Sequence, residues 1–491
     1  MEKTNVIAHF MGFPGKLKDK VMEIIKKTMK IGKDDPRKIW HAAKVGLALT
    51  LVSLFYYFRP LYDGFGQSAI WAVLTVVVVF EFTAGATLSK CLNRGFATLL
   101  AGALGVGAKY FADLFGKGEP IVLGFLVFTL GAVGTFTRFF PHMKRKYDYG
   151  ILIFVLTFSL VTVSGYRVDE ILELAHQRLT TILVGAATCM IISLVVCPVW
   201  AGEDLHKLVC GNLDKLASFL EGFGSEYFSF SEMDEESEKA SIKDKGFLQA
   251  YKTVLNSKAI EESLANFAWW EPGHGSFRLR HPWKQYLKIG VLARECACHF
   301  QALTSYFNSN PQAPTEFHKR IEEACTRMSL ESSKALKELA SSIKTITQPS
   351  SSAAETHLQN SRIAIDDFKA ILATTKTSLL SNKLDLLEIF PAITVASILI
   401  DVINCVDKIS AAVEELSVKA HFKKVKNKES SPSPEKQPQQ QLLHRGIVKP
   451  VVEDIEDGDS VVIEICGATM AAVAEVNSPG GKKGEAQKEC V

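Results

Sequence analysis

The sequence lacks the short motifs of the common catalytic sites. Its 491 residues contain no P-loop, no GxGxxG, no zinc-binding HExxH and no GxSxG nucleophile elbow. Its net charge of +3 is also too small to indicate a nucleic-acid partner. The sequence therefore predicts neither an enzyme nor a nucleic-acid-binding protein, and it predicts no cofactor and no firm metal site.

Secretory features are also lacking. The N-terminus has no short apolar core followed by a small-residue cleavage site, and it is rich in lysine instead. The chain has ten cysteines, but none falls in a loop that we place outside the cell or organelle. The sequence therefore predicts no signal peptide and no disulfide framework.

Charged residues are scarce between residues 40 and 200. Crossing the hydrocarbon core takes about 20 apolar residues in a helix. Apolar runs of about that length predict six membrane-spanning helices at about 41–58, 68–85, 95–112, 121–138, 149–165 and 179–199. Buried helices of a globular core are the alternative, but these runs have almost no polar face. We therefore predict an all-α, polytopic membrane protein.

Basic residues predict the orientation of these helices. Lys90 and Arg94 fall between the second and third spans, and RFFPHMKRKYDYG, with four basic residues, falls between the fourth and fifth. The alternate connections carry a single basic residue each. Because cytosolic loops are enriched in Lys and Arg, both termini are predicted to be cytosolic.

The remaining residues predict the domain organisation. Residues 1–39 are a basic N-terminal segment, 40–200 the transmembrane domain and 201–422 a cytosolic helical domain. The last predicted helix carries a heptad seam, which we expect to be buried in the subunit or across a dimer: Val395, Leu399, Val402, Val406, Ile409, Val413 and Leu416. Residues 423–491 are rich in Pro, Ser and Gln and are predicted to be disordered. There, Ser431 and Ser433 each precede proline and are candidate kinase sites.

Two polar segments of the helical domain have competing interpretations. CACH, from Cys296 to His299, resembles half of a metal site, but it has no second ligand pair and lies in a helical pattern. WWEPGHGSFRLRHPWKQY, residues 269–286, is interpreted as an aromatic-filled corner against the membrane domain, with a ligand site as the alternative.

Ionisable residues within or beside the spans are the main functional signal. Charges at membrane depth are costly and usually face a bundle interior or a water-filled path. There are seven such residues, and all but Glu81 are basic: Lys44, Glu81, Lys90, Arg94, Lys109, Arg138 and Arg178. An excess of cations along a path selects anions, whereas snorkelling to lipid headgroups is the alternative. Glu81 is expected to pair with a nearby cation, Lys44 being one candidate. Hydropathy alone places Arg94 and Arg178 roughly one membrane thickness apart, whereas tilted or broken helices would bring them closer.

Several long motifs resemble the plant aluminium-activated malate transporter family. They are WAVLTVVVVFEFTAGATLSKCLNRG, TRFF with KYDYGILIFVLTFSLVTVSGYR, CPVWAGEDLH and WEPGHGSFRLRHPW. They cover about residues 34–290, and a weaker resemblance continues to 420. The resemblance implies an anion channel for malate and often inorganic anions, a homodimer with six spans per subunit, and a path lined by basic residues.

Carried onto this sequence, the motif GATLSKCLNR implies pore roles for Lys90 and Arg94, and the start of the sixth span implies one for Arg178. Cys91 stands where glycine is expected. The resemblance does not fix activation by Al³⁺ or the membrane: the plasma membrane is favoured, with the vacuolar membrane as the alternative.

Acidic residues of the predicted outer loops suggest a second site. Asp63, Asp169 and Glu173 could bind a hard multivalent cation such as Al³⁺, because such cations prefer oxygen ligands. Alternatively, Asp169 and Glu173 complement the dipole at the start of a helix.

Three functions remain open at the level of sequence. A malate-conducting anion channel agrees with all of these features. An ion-coupled secondary carboxylate transporter would have the same spans and basic path. A membrane-anchored enzyme or scaffold is the third, and the missing catalytic motifs count against it.

Overall fold

The computed structural model of the chain describes residues 15–57, 70–165, 171–227, 247–309, 316–348, 353–380 and 386–424. Within these ranges the chain is helical, and its β-type contacts are two isolated bridges. The prediction of an all-α protein is therefore confirmed for the described residues.

The first seven helices include those of the apolar region. They are α1 Gly15–Asp34, α2 Arg37–Tyr57, α3 Ile70–Val79, α4 Ala84–Asp113, α5 Glu119–Thr137, α6 Pro141–Gly165 and α7 Ile171–Val195. We call α2–α7 the membrane bundle. Helix α4 packs against both α6 and α7, α3 packs against α7, and α5 packs against α6.

Seven further helices form a second bundle. They are α8 Ala201–Tyr227, α9 Phe247–Leu255, α10 Lys258–Ala268, α11 Trp283–Ser309, α12 Glu316–Thr345, α13 Ala353–Leu380 and α14 Leu386–Lys419. One continuous apolar core runs through these helices, and stacked rings such as Phe219 and Phe300, with centroids 4.3 Å apart, lie within it.

Among the described residues, five helical segments are long and apolar enough to cross a membrane. Four lie in the membrane bundle, at Ala84–Asp113, Gly116–Thr137, Pro141–Ser164 and His176–Val195. The fifth, Ile389–Lys419, lies in α14. The number of six spans therefore stays a prediction, because α2 does not meet the same criterion and α3 is only 10 residues long.

The expected boundary between the second and third spans is wrong. Helix α3 is about 15 Å long, about half of the hydrocarbon core, and it ends at Val79. Only residues 80–83 then separate it from α4, whose 30 residues begin at Ala84. Lys90 and Arg94 lie inside α4 and not in a loop. The charged residues do not mark the start of this helix. It begins after Thr83, which caps it: Thr83 Oγ1 accepts a hydrogen bond from Ala86 N at 3.3 Å.

The heptad seam of α14 is buried within the subunit. Its seven apolar residues are at most 1% exposed, and they face the core that α14 shares with α11, α12 and α13. Asp401, which interrupts the apolar sequence, is exposed. Although α14 is long enough to span a bilayer, its apolar side is already covered by protein.

The membrane bundle exposes much of its apolar surface. Helix α5 has Ile121, Phe125 and Phe128 on its surface, and each is more than two thirds exposed. Water would be an unfavourable neighbour for so large an apolar patch. Inside the bundle, Gly105 of α4 lies against α6, where an added Cβ would come within 2.8 Å of Val161. Small residues thus allow close helix packing on this side of α4.

Glu271 joins the two bundles. It lies in the turn between α10 and α11, and its carboxylate accepts hydrogen bonds from Ala201 N at 2.6 Å and Gly202 N at 3.0 Å, in the first turn of α8. The backbone N–H of Gly85, in the first turn of α4, also donates to it. One side chain thereby caps a helix from each bundle. Burial raises the pKa of Glu271 to about 7, although these three donors act in the opposite direction.

The segment around Glu271 is the expected aromatic corner. His274 stacks on Trp200, with ring centroids 3.9 Å apart, and Phe277, His281 and Trp283 pack against one another. Burial lowers the pKa of His281 to about 4, which keeps its imidazole neutral in this apolar setting.

Several predictions fall outside the described residues. Asp63 and Asp169 lie there, and Glu173 lies in α7 but its side chain is not described. Residues 425–491 lie there too, including Ser431 and Ser433, so disorder and phosphorylation of this segment stay predictions.

Candidate anion pathway

The four residues between α3 and α4 are held by side-chain hydrogen bonds. Thr87 Oγ1, in the first turn of α4, accepts from Glu81 N at 3.0 Å and donates to Glu81 O at 3.1 Å. The backbone of Ala84 donates to Val199 O at 2.8 Å. These bonds replace the helical hydrogen bonds that are missing between α3 and α4. They hold in place the backbone from which the Glu81 side chain extends.

Glu81 pairs with Lys90 and not with Lys44. The Lys90 ammonium reaches back from the second turn of α4 to the Glu81 carboxylate. It also lies 5.5 Å from the centroid of the Tyr149 ring in α6. The positive charge of Lys90 is therefore largely compensated by a neighbouring carboxylate.

Lys44 is only 2% exposed and interacts with a helix end. Its Nζ donates to the carbonyl of Cys197 at 3.2 Å, just after the end of α7. Cys197 adopts a left-handed conformation with φ of 42°. A cation at a helix C-terminus is favourable, because it complements the partial negative charge of the carbonyls there.

Arg138 and Lys109 are both neutralised by acids. The Arg138 guanidinium binds Asp148 through two hydrogen bonds of 2.7 and 3.1 Å. Lys109 pairs with Glu119 and, at 3.1 Å, with Asp113. Arg138 thus lies in a bidentate ion pair between α5 and α6, which leaves it little capacity to bind a passing anion.

Arg94 has no carboxylate partner among the described residues. It is 4% exposed, and Nη1 donates to Tyr149 Oη at 3.2 Å. Its Nε is buried and makes no hydrogen bond within the described part of the chain. A guanidinium stays charged at any physiological pH. Arg94 is therefore a buried positive charge whose donors are only partly satisfied.

Arg178 also lacks an acidic partner in the part of the chain that the structure describes. Its guanidinium carbon lies 4.8 Å from the centroid of the Trp71 ring in α3. A cation over the face of an indole is stabilised by the ring quadrupole, but its charge is not neutralised. The long side chain thereby extends from α7 across to α3.

The helix register places the two arginines at similar depth. Cys91 Sγ of α4 donates to Ala186 O of α7 at 3.5 Å, and Gly95 lies opposite Leu183. Because the two helices run in opposite directions, Arg94 is level with about residue 183. Arg178 lies about five residues before residue 183 in α7, which at 1.5 Å per residue gives an offset of roughly 8 Å along the helix axis. This offset is well below the membrane thickness that hydropathy alone suggests, because α4 already begins at Ala84.

The sequence did not indicate two aromatic residues of this region. Tyr149 accepts a hydrogen bond from Arg94, and its ring faces the Lys90 ammonium. The Trp71 ring faces the Arg178 guanidinium. Both lie in apolar or aromatic segments where many rings occur, so no local signal separated them from core residues. Their roles depend on how α3 and α6 pack against their neighbours.

The structure does not bring metal ligands together at CACH. Cys296 is buried in α11, whereas Cys298 is exposed two residues further along the same helix. Such positions point to different sides of a helix. Within the described ranges, no group of three or more His, Cys, Asp or Glu residues could hold a metal ion.

The chain is similar in sequence to one family of known proteins. Residues 29–385 match the sequence model described as aluminium activated malate transporter. The chain belongs to the aluminium-activated malate transporter family. The matched region includes the membrane bundle, the Glu271 junction and most of the second bundle, so the family resemblance extends well beyond the basic residues.

Three relatives show how much of the chain the family likeness covers. Aluminum-activated malate transporter 2 of Arabidopsis thaliana is 51% identical over 416 residues, which is 84% of this chain and 81% of the relative. Transporter 1 of the same plant is 50% identical over 409 residues, 82% of this chain and 81% of the relative. Transporter 1 of Triticum aestivum is 47% identical over 402 residues, 80% of this chain and 84% of the relative.

Proposed function

We propose that this chain is an anion channel that conducts malate, and inorganic anions as well, through the membrane bundle. The observation that carries the proposal is the pair Arg94 and Arg178, two cations at similar depth without carboxylate partners among the described residues. An unpaired charge at membrane depth is unfavourable unless water or an anion reaches it. The names of the relatives point to malate as that anion.

Malate suits this pair of arginines chemically. It carries two carboxylates and must lose water at a narrow point. Guanidinium groups replace that water with charge-assisted hydrogen bonds, which are stronger than neutral ones. Conduction also needs the anion to leave, so binding must be moderate. Lys90 and Arg138, held by Glu81 and Asp148, would act through the field of their ion pairs more than by direct contact.

A measurement of reversal potential tests conduction against coupled transport. In voltage clamp of a cell that expresses the protein, with malate as the only permeant anion in both solutions, a channel's current reverses at the Nernst potential of malate. An ion-coupled carboxylate transporter would shift that potential when the gradient of protons or another ion is changed. We expect no such shift, and a reproducible one would replace the channel by the coupled mechanism.

The assembly and the membrane belong to the same proposal. We propose a homodimer with both termini in the cytosol, in the plasma membrane in preference to the vacuolar membrane. The basic segments before α2 and between α5 and α6 support this orientation. Protease accessibility of a C-terminal tag in sealed, right-side-out vesicles tests it, and cleavage from outside would reverse the assignment.

Two regulatory sites complete the proposal. Asp63, Asp169 and Glu173 would bind external Al³⁺, so replacing all three by the corresponding amides should abolish any Al³⁺ response and spare the basal current. A kinase acting on Ser431 and Ser433 would add negative charge to the tail. Deleting residues 425–491 should leave a conducting, assembled channel, and loss of the dimer would show that the tail is structural.

A further inference from the structure

Helix α1 carries an apolar stripe that no described residue covers. Met22, Ile24, Ile25, Met29 and Ile31 are all exposed, and Ile24 is 63% exposed. At about 100° per residue, they fall together with Val21 within one half of the helix circumference. Such a wide stripe differs from the narrow seam of a coiled coil.

The opposite side of α1 is strongly basic. The helix contains seven lysines and three acids, which gives it a net charge of +4. Five of its lysines are exposed, and they fall on the side away from the apolar stripe: Lys20, Lys26, Lys27, Lys30 and Lys33. One ion pair on this side, Lys27 with Glu23 at 2.8 Å, leaves most of these charges uncompensated.

The position of α1 is fixed at the point where the chain enters the membrane bundle. Only residues 35 and 36 separate it from α2. Arg37, at the start of α2, binds Asp204 of α8 at 2.7 Å. Ile39 and Trp40 follow on the surface, each more than half exposed. A tryptophan at this place is typical of a membrane–water interface, which favours a place at headgroup level for the end of α1.

We propose that α1 lies flat on the cytosolic leaflet and binds anionic phospholipids. Its apolar stripe would enter the boundary between headgroups and acyl chains, and its lysines would contact the phosphate and carboxylate groups of lipids such as phosphatidylserine. The combination of a wide apolar stripe with a cationic opposite side fits an anionic surface better than a second copy of α1. The choice of the cytosolic leaflet rests on the cytosolic N-terminus given under the proposed function, whereas the binding to anionic lipid does not.

Hydrogen exchange of the full-length protein in lipid nanodiscs tests this proposal. Amide exchange of residues 21–31 is measured by mass spectrometry in nanodiscs of phosphatidylcholine alone and of phosphatidylcholine with phosphatidylserine. We expect at least about fivefold slower exchange in the anionic nanodiscs, because docking stabilises the helix. High salt should remove most of that difference, since lysine–lipid attraction is screened.

Two matched variants separate the apolar stripe from the charge. Ile25→Asp and Lys27→Gln change the net charge by the same amount, but on opposite sides of α1. Ile25→Asp should abolish the protection in both lipids, whereas Lys27→Gln should keep most of it. Replacing Lys26, Lys27, Lys30 and Lys33 together by glutamine should remove the lipid difference, and the corresponding arginine variant should retain it.

Some outcomes would overturn the proposal. Equal exchange in both nanodiscs would exclude anionic lipid as the occupant. Protection that Ile25→Asp leaves unchanged would mean that the apolar stripe does not enter the membrane. Malate current is not the readout, so these results stand independently of whether the channel function is correct.

Discussion

At the scale of single residues, the membrane bundle separates compensated cations from uncompensated ones. Lys90, Lys109 and Arg138 have carboxylate partners, whereas Arg94 and Arg178 have aromatic partners. An aromatic ring or phenol holds a guanidinium in place without cancelling its charge. This difference is why we propose the two arginines as the residues that bind an anion.

Tyr149→Phe tests the placement of Arg94. The change removes the hydroxyl that accepts from Nη1 but keeps the ring beneath Lys90. Because one hydrogen bond contributes about 1 kcal/mol, we expect roughly a fivefold lower malate current at subsaturating malate. The current should be normalised to protein at the cell surface. An unchanged current would mean that the hydroxyl does not position Arg94.

Glu271→Gln tests the buried carboxyl at the junction. Its folded-state pKa of about 7 is above the ordinary value of 4.5. A raised carboxyl pKa stabilises the folded protein as it takes up a proton, so stability should rise as the pH falls from 8 to 6.5. The gain is on the order of 1 kcal/mol, and it lies above the range in which His281 titrates, about 4.

The measurement is the apparent thermal midpoint of the purified protein at both pH values. The wild type should have the higher midpoint at pH 6.5, and Glu271→Gln should lose that difference because its amide does not titrate. A variant with the same pH dependence as the wild type would assign the effect to another group.

The sequence indicated which residues of the bundle are charged but not how they pair. It could not show that Lys90 reaches Glu81 or that Lys44 meets Cys197 O, because both contacts depend on where α4 begins and where α7 ends. The break before α4 was also hidden, since Phe80 continues the apolar run of α3 and Thr83 has no hydropathy signal as a cap.

At the scale of helices, close packing in the membrane bundle depends on particular small residues. Small residues recur four positions apart in α4, at Ala101 with Gly105 and at Ala103 with Gly107. Only the first pair lies at a helix contact in the structure. Gly105 lies against Val161, whereas a Cβ at Gly107 would meet nothing within 4 Å. Spacing alone could not choose between the pairs, because it does not show which side of α4 faces α6.

Gly105→Leu should therefore destabilise the bundle and Gly107→Leu should not. The bulky side chain at 105 would force α4 and α6 apart, which typically costs about 1–3 kcal/mol. The same substitution at 107 serves as the control for changed composition of the helix. Thermal stability in detergent measures both variants, and an equal loss would show that packing at Gly105 has no special role.

Helix α14 offers a similar matched pair. Val406 is fully buried in the seam, whereas Val418 is 62% exposed near the end of the same helix. Val406→Asp buries an unpaired carboxyl and should lower the free energy of unfolding of the second bundle by several kcal/mol. Val418→Asp should have little effect. If both variants melt like the wild type, the second bundle does not depend on this seam.

At the scale of the whole molecule, composition was the most informative feature of the sequence. The division into an apolar region and a helical region, and the all-α class, followed from hydropathy and helical periodicity. The connection between the two regions did not, because Glu271 lies in a turn and its three donors come from two distant helices. Long-range contacts of this kind leave no local pattern in a sequence.

The proposed anion pathway depends most directly on Arg94 and Arg178. The decisive measurement is the malate current of Arg94→Ala and Arg178→Ala, normalised to surface protein, with Arg320→Ala on the exposed side of α12 as the control. Each pathway variant should lose at least about tenfold of the current, because a charge-assisted contact of more than about 1.4 kcal/mol is removed. Lysine should restore part of it and glutamate none. If both alanine variants reach the surface and carry wild-type malate current, the two arginines do not line the path.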